Sequence, residues 1–188
     1  WRLKRFIGQP SIILNLLKQH FFYKGLQGYK LYFDNSTICT ANCIFCAYQF
    51  DVRDKGIATL DHFKRTIEQF VYMGGEKLNL TPLTGELFVS NSVIEQIEYA
   101  LSLGIKKISF FTNATLLHKV DIKKLLTIGV DEIAISVSPL RDDLYKLIYR
   151  SDSYKRVLNN ISNLLKTAKE CNSSTTVSLE YRGNLSLK

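Results

Sequence analysis

Segments typical of β-strands alternate with segments typical of α-helices along most of this chain of 188 residues. Three of the helical segments are followed by a glycine (Gly74, Gly104 and Gly129), the residue that most readily ends a helix. A strand, a helix and a second strand predict a parallel pair joined by a right-handed crossover. The alternation therefore requires one parallel sheet with helices packed on it, an α/β fold.

We predict five strands and four helical segments after residue 28. The strands cover Tyr29 to Phe33, Lys77 to Thr81, Lys107 to Thr112, Asp131 to Val137 and Thr175 to Arg182. The helices cover Leu60 to Met73, Ser92 to Leu103, Val120 to Ile128 and Arg141 to Glu170, the last interrupted near Arg150. This pattern alone fits an open doubly wound sheet and a partial barrel equally well.

Residues 1–28 precede the alternation, and we expect them to form an N-terminal helical extension. Ser11 to Tyr23 has apolar residues at helical spacing, with Gly25 after it. This helix is expected to pack on the end of the sheet or, alternatively, to dock a partner. Residues 29–188 form the main domain. Because the chain begins with Trp1, we expect it to be part of something longer.

Each predicted strand has one apolar side and one polar side. In the third strand, Ser109 and Phe111 alternate with Ile108 and Phe110. The apolar sides must face the helices of such a sheet, so the polar sides should line its interior. Unpaired buried polar groups cost about 1–3 kcal/mol each. A polar interior therefore predicts a polar cofactor or substrate.

Three cysteines, Cys39, Cys43 and Cys46, follow the first strand, at the edge where the active groups of parallel sheets gather. A four-iron cluster usually takes four protein ligands, so three leave one iron open. A structural zinc site needs four ligands, and neither Cys171 nor any of the three histidines stands at a zinc-site spacing. The triplet predicts an iron–sulfur site, with zinc as the alternative. Cys171 precedes the fifth strand, at the opposite edge, and is expected to be a structural thiol.

The triplet, with Phe45 just before the third cysteine, resembles the signature of the radical S-adenosylmethionine (SAM) superfamily. Thr84-Gly85-Glu86 is similar to the glycine-glycine-glutamate element of that family, but Thr84 replaces the first glycine and Leu87 stands where proline is common. Thr112-Asn113-Ala114 is similar to its threonine-asparagine-glycine element, and Ser138 stands where an aspartate is frequent.

The resemblance implies a partial (β/α) barrel, usually of six strands. Five are visible here, so we expect the domain to be incomplete at its C-terminus. It also implies that Cys39, Cys43 and Cys46 hold a [4Fe-4S] cluster whose open iron binds SAM. The residues implied in SAM binding are Phe45, Gly85, Glu86, Asn113, Ser136 and Arg182.

In the implied reaction, the reduced cluster cleaves SAM to a 5′-deoxyadenosyl radical, which takes a hydrogen atom from the substrate. We expect a polar substrate, either a peptide side chain or a small biosynthetic intermediate. The expected reductant is a protein such as flavodoxin or ferredoxin, and the net charge of +8 suits an acidic donor. Because the lysines are thinly spread, we expect no nucleic-acid partner.

No apolar run is long enough to span a membrane, and we see no secretory signal, so a cytoplasmic location is expected. Two alternatives stay open. The first is a non-catalytic metal-binding or electron-transfer module with a structural metal at the triplet. The second is a degenerate relative of the family without catalysis, suggested by Thr84 and Leu87.

Overall fold

The computed structural model describes residues 28–137 and 140–181. The predicted N-terminal helix lies outside the described residues, as do Ser138 and Arg182. No helix among the described residues is long and apolar enough to cross a membrane.

The described chain alternates strands and helices in the predicted order. The strands are β1 (Lys30–Tyr32), β2 (Lys77–Asn79), β3 (Lys107–Thr112), β4 (Glu132–Val137) and β5 (Thr176–Tyr181). The α-helices are α1 (Leu60–Tyr72), α2 (Val93–Ser102), α3 (Ile122–Thr127), α4 (Asp142–Tyr149) and α5 (Tyr154–Glu170). Short 3-10 helices cover Ala47–Phe50, Leu87–Val89 and Leu117–Lys119. The predicted interruption near Arg150 is confirmed, because Arg150 takes a left-handed conformation (φ 48°) and ends α4.

The five strands form one parallel sheet in the order β1-β2-β3-β4-β5. Each strand lies beside the next one along the chain, whereas a doubly wound sheet reverses its strand order partway. The α/β partial barrel is therefore confirmed and the doubly wound alternative is excluded. β2 is shorter than predicted because its backbone hydrogen bonds to β3 do not continue to Thr81. There the side-chain oxygen of Thr81, rather than a backbone carbonyl, accepts the hydrogen bond from the backbone amide of Phe111 (2.9 Å).

The apolar sides of the strands lie beneath the helices, as predicted. Leu78, Ile108 and Ile133 are fully buried and pack in one core with α1 residues such as Phe63 and Ile67. Burying a side chain of this size contributes about 1.5–3 kcal/mol.

The opposite side of the sheet, which we call the inner face, carries the polar set. The strand register pairs Tyr32 with Asn79, Asn79 with Ser109, and Ser109 with Glu132 across this face. Asn79 donates to the Ser109 hydroxyl at 3.0 Å. The inner face thus combines these polar side chains with Phe111 and Ala134, and it extends to the cysteine loop.

Candidate functional site

The cysteine loop is held against the end of α4. The backbone amides of Asn42 and Ile44 donate to the carbonyls of Tyr149 (3.1 Å) and Ile148 (2.9 Å). The last carbonyls of a helix have no partner within the helix, so a loop that supplies amides satisfies them. α4 thereby fixes the backbone between Cys39 and Cys46.

The three thiols lie together and are partly or fully buried. Burial, and then the neighbouring Cys39 and Cys46, raise the pKa of Cys43 to about 12. Burial also raises the pKa of Cys39, with Glu86 and Cys46 adding to the effect. A thiolate is the form that binds metal. A positively charged group among these sulfurs would offset their desolvation and mutual repulsion, which fits an iron–sulfur cluster.

The described residues contain no group of three His, Cys, Asp or Glu side chains placed to hold a single metal ion.

A cavity of about 360 Å³ opens beside the cysteines. Its walls come from the cysteine loop, the segment after β2, the end of β3, the end of β4 and the end of α4. The lining residues that the sequence predicted are Cys39, Cys43, Phe45, Cys46, Gly85, Glu86, Asn113 and Ser136. All the described predicted residues thus meet at one cavity.

Gly85 lies against the backbone that leads into the cysteine loop. A β-carbon on Gly85 would stand 2.0 Å from the Ser36 carbonyl oxygen, and the next amide, of Glu86, donates to the Ile38 carbonyl at 2.8 Å. Only glycine permits this approach. The close contact seats the Gly85-Glu86 pair directly on the cysteine loop.

The Glu86 side chain braces the end of β3. Its carboxylate accepts hydrogen bonds from the Thr112 hydroxyl (2.5 Å) and the backbone amide of Asn113 (2.9 Å). Burial raises the pKa of this carboxyl, and the hydrogen bonds from Asn113 and Thr112 oppose the rise. The carboxylate thus orders the Thr112-Asn113 turn, and a cationic ligand in the cavity would lower the cost of burying its charge.

Asn113 in turn reaches the cysteine loop. Its side-chain amide nitrogen (Nδ2) lies 3.1 Å from the Thr40 hydroxyl and 3.7 Å from the Cys39 sulfur. The Thr115 hydroxyl donates to its carbonyl oxygen at 2.7 Å. A donor near a ligating sulfur tunes the reduction potential of an iron–sulfur cluster. Asn113 is therefore oriented by two threonines toward the Cys39 sulfur.

Two aromatic residues and a serine form the far wall. The Ser136 hydroxyl lies 3.2 Å from the Tyr149 hydroxyl, and the Phe45 ring meets the Tyr149 ring edge to face at 5.7 Å between centroids. Phe45 is about half exposed, and it lines the cavity. Tyr149 was missed by sequence reasoning, because nothing in a helix-terminal tyrosine distinguishes it from a core residue.

A charged network that includes Thr84, one of the residues lining the cavity, was also missed; we call it the rim network. Arg53 donates to Asp51 (2.8 Å), to Asp34 (3.1 Å) and to the Thr84 hydroxyl (2.8 Å), and Thr84 donates to Asp51 as well. The Asp51 side chain is only 5% exposed. The hydrogen bond from Arg53 holds the pKa of Asp51 well below its usual range. Thr84, which stands where the family element has its first glycine, thus supplies a hydroxyl that links the segment after β2 to the segment after Cys46.

The family model of the radical SAM superfamily matches residues 36–180 of the chain. A GTP 3′,8-cyclase of Mannheimia succiniciproducens is 27% identical over 76% of the chain and 42% of its own length. An uncharacterized protein of Methanocaldococcus jannaschii is 36% identical over 65% of the chain and 39% of its own length. The chain therefore spans about two fifths of these relatives.

Solved structures share the fold at low sequence identity. Streptococcus suis SuiB bound to S-adenosylmethionine matches 97% of the chain and 48% of its own chain, with a TM-score of 0.60 and 16% identity. Methylornithine synthase (PylB) matches 88% of the chain and 50% of its own chain, with a TM-score of 0.56 and 15% identity.

Proposed function

The chain belongs to the radical SAM superfamily, whose members use a [4Fe-4S] cluster and SAM, and from this premise we propose that it cleaves SAM reductively and abstracts a hydrogen atom from a polar substrate. The observation that carries the proposal is the meeting of three thiols with the ends of β2, β3 and β4 around one cavity. When bound, the cluster and SAM together supply one-electron chemistry that protein side chains lack.

The protein's part is to hold these groups and exclude water. In our proposal Cys39, Cys43 and Cys46 ligate the cluster. The segment of Gly85 and Glu86, seated on the cysteine loop, receives the methionine end of SAM. The brace from Glu86 to Asn113 keeps the ends of β2 and β3 at a constant separation, so that SAM meets a pre-formed surface.

The remaining contacts concern the other end of SAM. We propose that Ser136, oriented by the Tyr149 hydroxyl, donates to the ribose or carboxylate, and that Phe45 shields the cluster and contacts the adenine. Arg182 follows β5 directly and keeps its proposed role as a carboxylate partner. The polar inner face, with its Asn79–Ser109 pair, supports a polar substrate.

An external protein must supply the electron. We propose an acidic flavodoxin-like or ferredoxin-like donor, because the chain carries a net charge of +8. The cytoplasmic location expected from the sequence stays a prediction.

The test is anaerobic reconstitution with iron and sulfide, followed by dithionite and SAM. We expect about four irons per chain and formation of 5′-deoxyadenosine. Replacing all three cysteines of the triplet by alanine should abolish both, whereas Cys171→Ala, at the opposite edge of the sheet, should leave both unchanged. A protein that loads iron and sulfide but releases no 5′-deoxyadenosine would instead support the non-catalytic metal-binding module.

A further inference from the structure

The inner face of the sheet carries three lysines at the end opposite the cysteine loop. Lys30, Lys77 and Lys107 are the first residues of β1, β2 and β3, and the register pairs Lys30 with Lys77 and Lys77 with Lys107. Side chains two apart on a strand share a face, so these lysines lie on the same face as Asn79 and Ser109. We call them the lysine row. Neighbouring strands are about 4.8 Å apart, so the row is about 10 Å long.

No acidic side chain of the described residues forms an ion pair with the lysine row. Like charges directly opposite one another destabilise a sheet. Of the ion pairs among the described residues none involves these three lysines, although Lys106, the neighbour of Lys107, pairs with Glu76 at 2.5 Å. Lys77 donates to the Gly28 carbonyl at 3.4 Å, and Lys30 lies 5.9 Å from the Tyr32 ring centroid. Neither contact brings a negative charge to the row.

An open cavity of about 340 Å³ runs along the inner face from Lys30. Lys30, Tyr32, Asn79 and Ser109 line it, and Lys77 and Lys107 lie beside this lining, next to Lys30 in the strand register. It shares Thr81, Pro82, Leu83 and Phe111 with the cavity at the cysteines. The two cavities therefore form one continuous surface. A strand rises about 3.3 Å per residue, so the level of Lys107 and that of Phe111 are about 13 Å apart.

We propose that the lysine row binds the phosphate groups of a phosphate-bearing small molecule, the substrate, whose reacting carbon lies at the cysteine end. The inference rests on the proposed function and names the class of its substrate. An elongated molecule is required, because the anionic group and the reacting carbon occupy the two ends of the inner face. A cavity of this size suits a small molecule rather than a macromolecule.

The number of adjacent charges favours phosphate over a single carboxylate. Lysine binds phosphate as a point charge. Three adjacent ammonium groups also suit a multivalent anion better than one carboxylate.

One acidic residue allows a test in which removing a charge should strengthen anion binding rather than weaken it. Glu132 lines the same cavity. It pairs with Ser109, which is two residues after Lys107 on the same face of β3, so Glu132 is the diagonal neighbour of Lys107. Its carboxylate repels a phosphate group bound there. Removing the charge of Glu132 should therefore strengthen anion binding, and removing that of Lys107 should weaken it.

The experiment is calorimetric titration of the full protein with inorganic tripolyphosphate at low ionic strength. We expect the combined K30Q, K77Q and K107Q variant to bind at least about tenfold more weakly, and E132Q to bind about two- to threefold more tightly. Lys106→Gln is the matched control, because it removes a neighbouring lysine that is already paired; it should stay within about twofold of wild type. Thermal melting of the combined variant should show no loss of stability, since it removes like-charge repulsion.

No binding to wild type, or equal losses in the combined variant and K106Q, would overturn the proposal. So would a short RNA or a poly-glutamate peptide binding more tightly than tripolyphosphate with the same lysine dependence, because the occupant would then be a macromolecule. Formation of 5′-deoxyadenosine without substrate should be the same in K106Q as in wild type. Absence of that product from wild type itself would refute the proposed function and leave the tripolyphosphate result to be judged on its own.

Discussion

The two ends of the inner face are built in opposite ways. At the cysteine end, polar groups are cross-linked: Glu86 braces Asn113, and Asp51, Arg53 and Thr84 join the loop to the sheet. At the other end, the lysine row stands without ion pairs among the described residues. A site that must hold reactive groups at fixed distances needs pre-formed contacts. A site that receives a charged group from solvent keeps its own charges free.

The largest effect should come from breaking the close contact at the cysteine end. Gly85→Ala would place a methyl group 2.0 Å from the Ser36 carbonyl oxygen, so the segment after β2 must move away from the cysteine loop. We expect SAM cleavage to fall by at least about a hundredfold, by analogy with small misplacements of catalytic geometry.

Gly56→Ala is the matched control, because a β-carbon there meets no atom within 4 Å and the residue follows the same loop. It should retain cluster loading and SAM cleavage. The account of the cysteine end is wrong if the two alanine variants behave alike.

A smaller effect should follow from loosening the rim network. Thr84→Val keeps the shape of the side chain but removes the hydroxyl that links Arg53 with Asp51. We expect SAM to bind about three- to tenfold more weakly, with cluster loading unchanged, because the cysteines keep their own contacts with α4. Thr84→Ser should restore binding. Weaker cluster loading without a change in SAM affinity would show that the network supports the loop alone.

The same network should be insensitive to pH near neutrality. The hydrogen bond from Arg53 lowers the pKa of Asp51, so its contribution to stability is fully present above the unfolded value of about 3.9 and is lost as the pH falls below it. The difference in the free energy of unfolding between wild type and Asp51→Asn should therefore be constant from about pH 5 to pH 8. A difference that changes across this range would contradict the assignment.

The smallest effect should be a gain. Ala114 has a φ of 59°, a left-handed conformation that favours glycine, in the turn that follows Asn113. Ala114→Gly relieves this strain, and we expect the free energy of unfolding to rise by at most about 0.5–1 kcal/mol in denaturant titrations. A clear loss of stability would show that the buried methyl group of Ala114 contributes more through packing than the backbone costs.

Sequence reasoning predicted the parts of the molecule that repeat or stand close together in the chain. Period-two alternation gave the strands and their polar side, and the cysteine triplet located the cavity. It missed contacts between distant residues, such as Thr84 with Asp51 and Ser136 with Tyr149, because only the folded chain brings them together. The lysine row depends on strand register in the same way, since Lys30, Lys77 and Lys107 have no common motif.

The central claim is that the three cysteines leave one site of a [4Fe-4S] cluster open to SAM. Electron paramagnetic resonance of the reconstituted, dithionite-reduced protein tests it most directly. We predict one reduced cluster signal per chain that shifts when SAM is added and is absent when Cys39, Cys43 and Cys46 are replaced by alanine. A cluster signal that SAM leaves unchanged would contradict the account, because all four irons would then be closed to it.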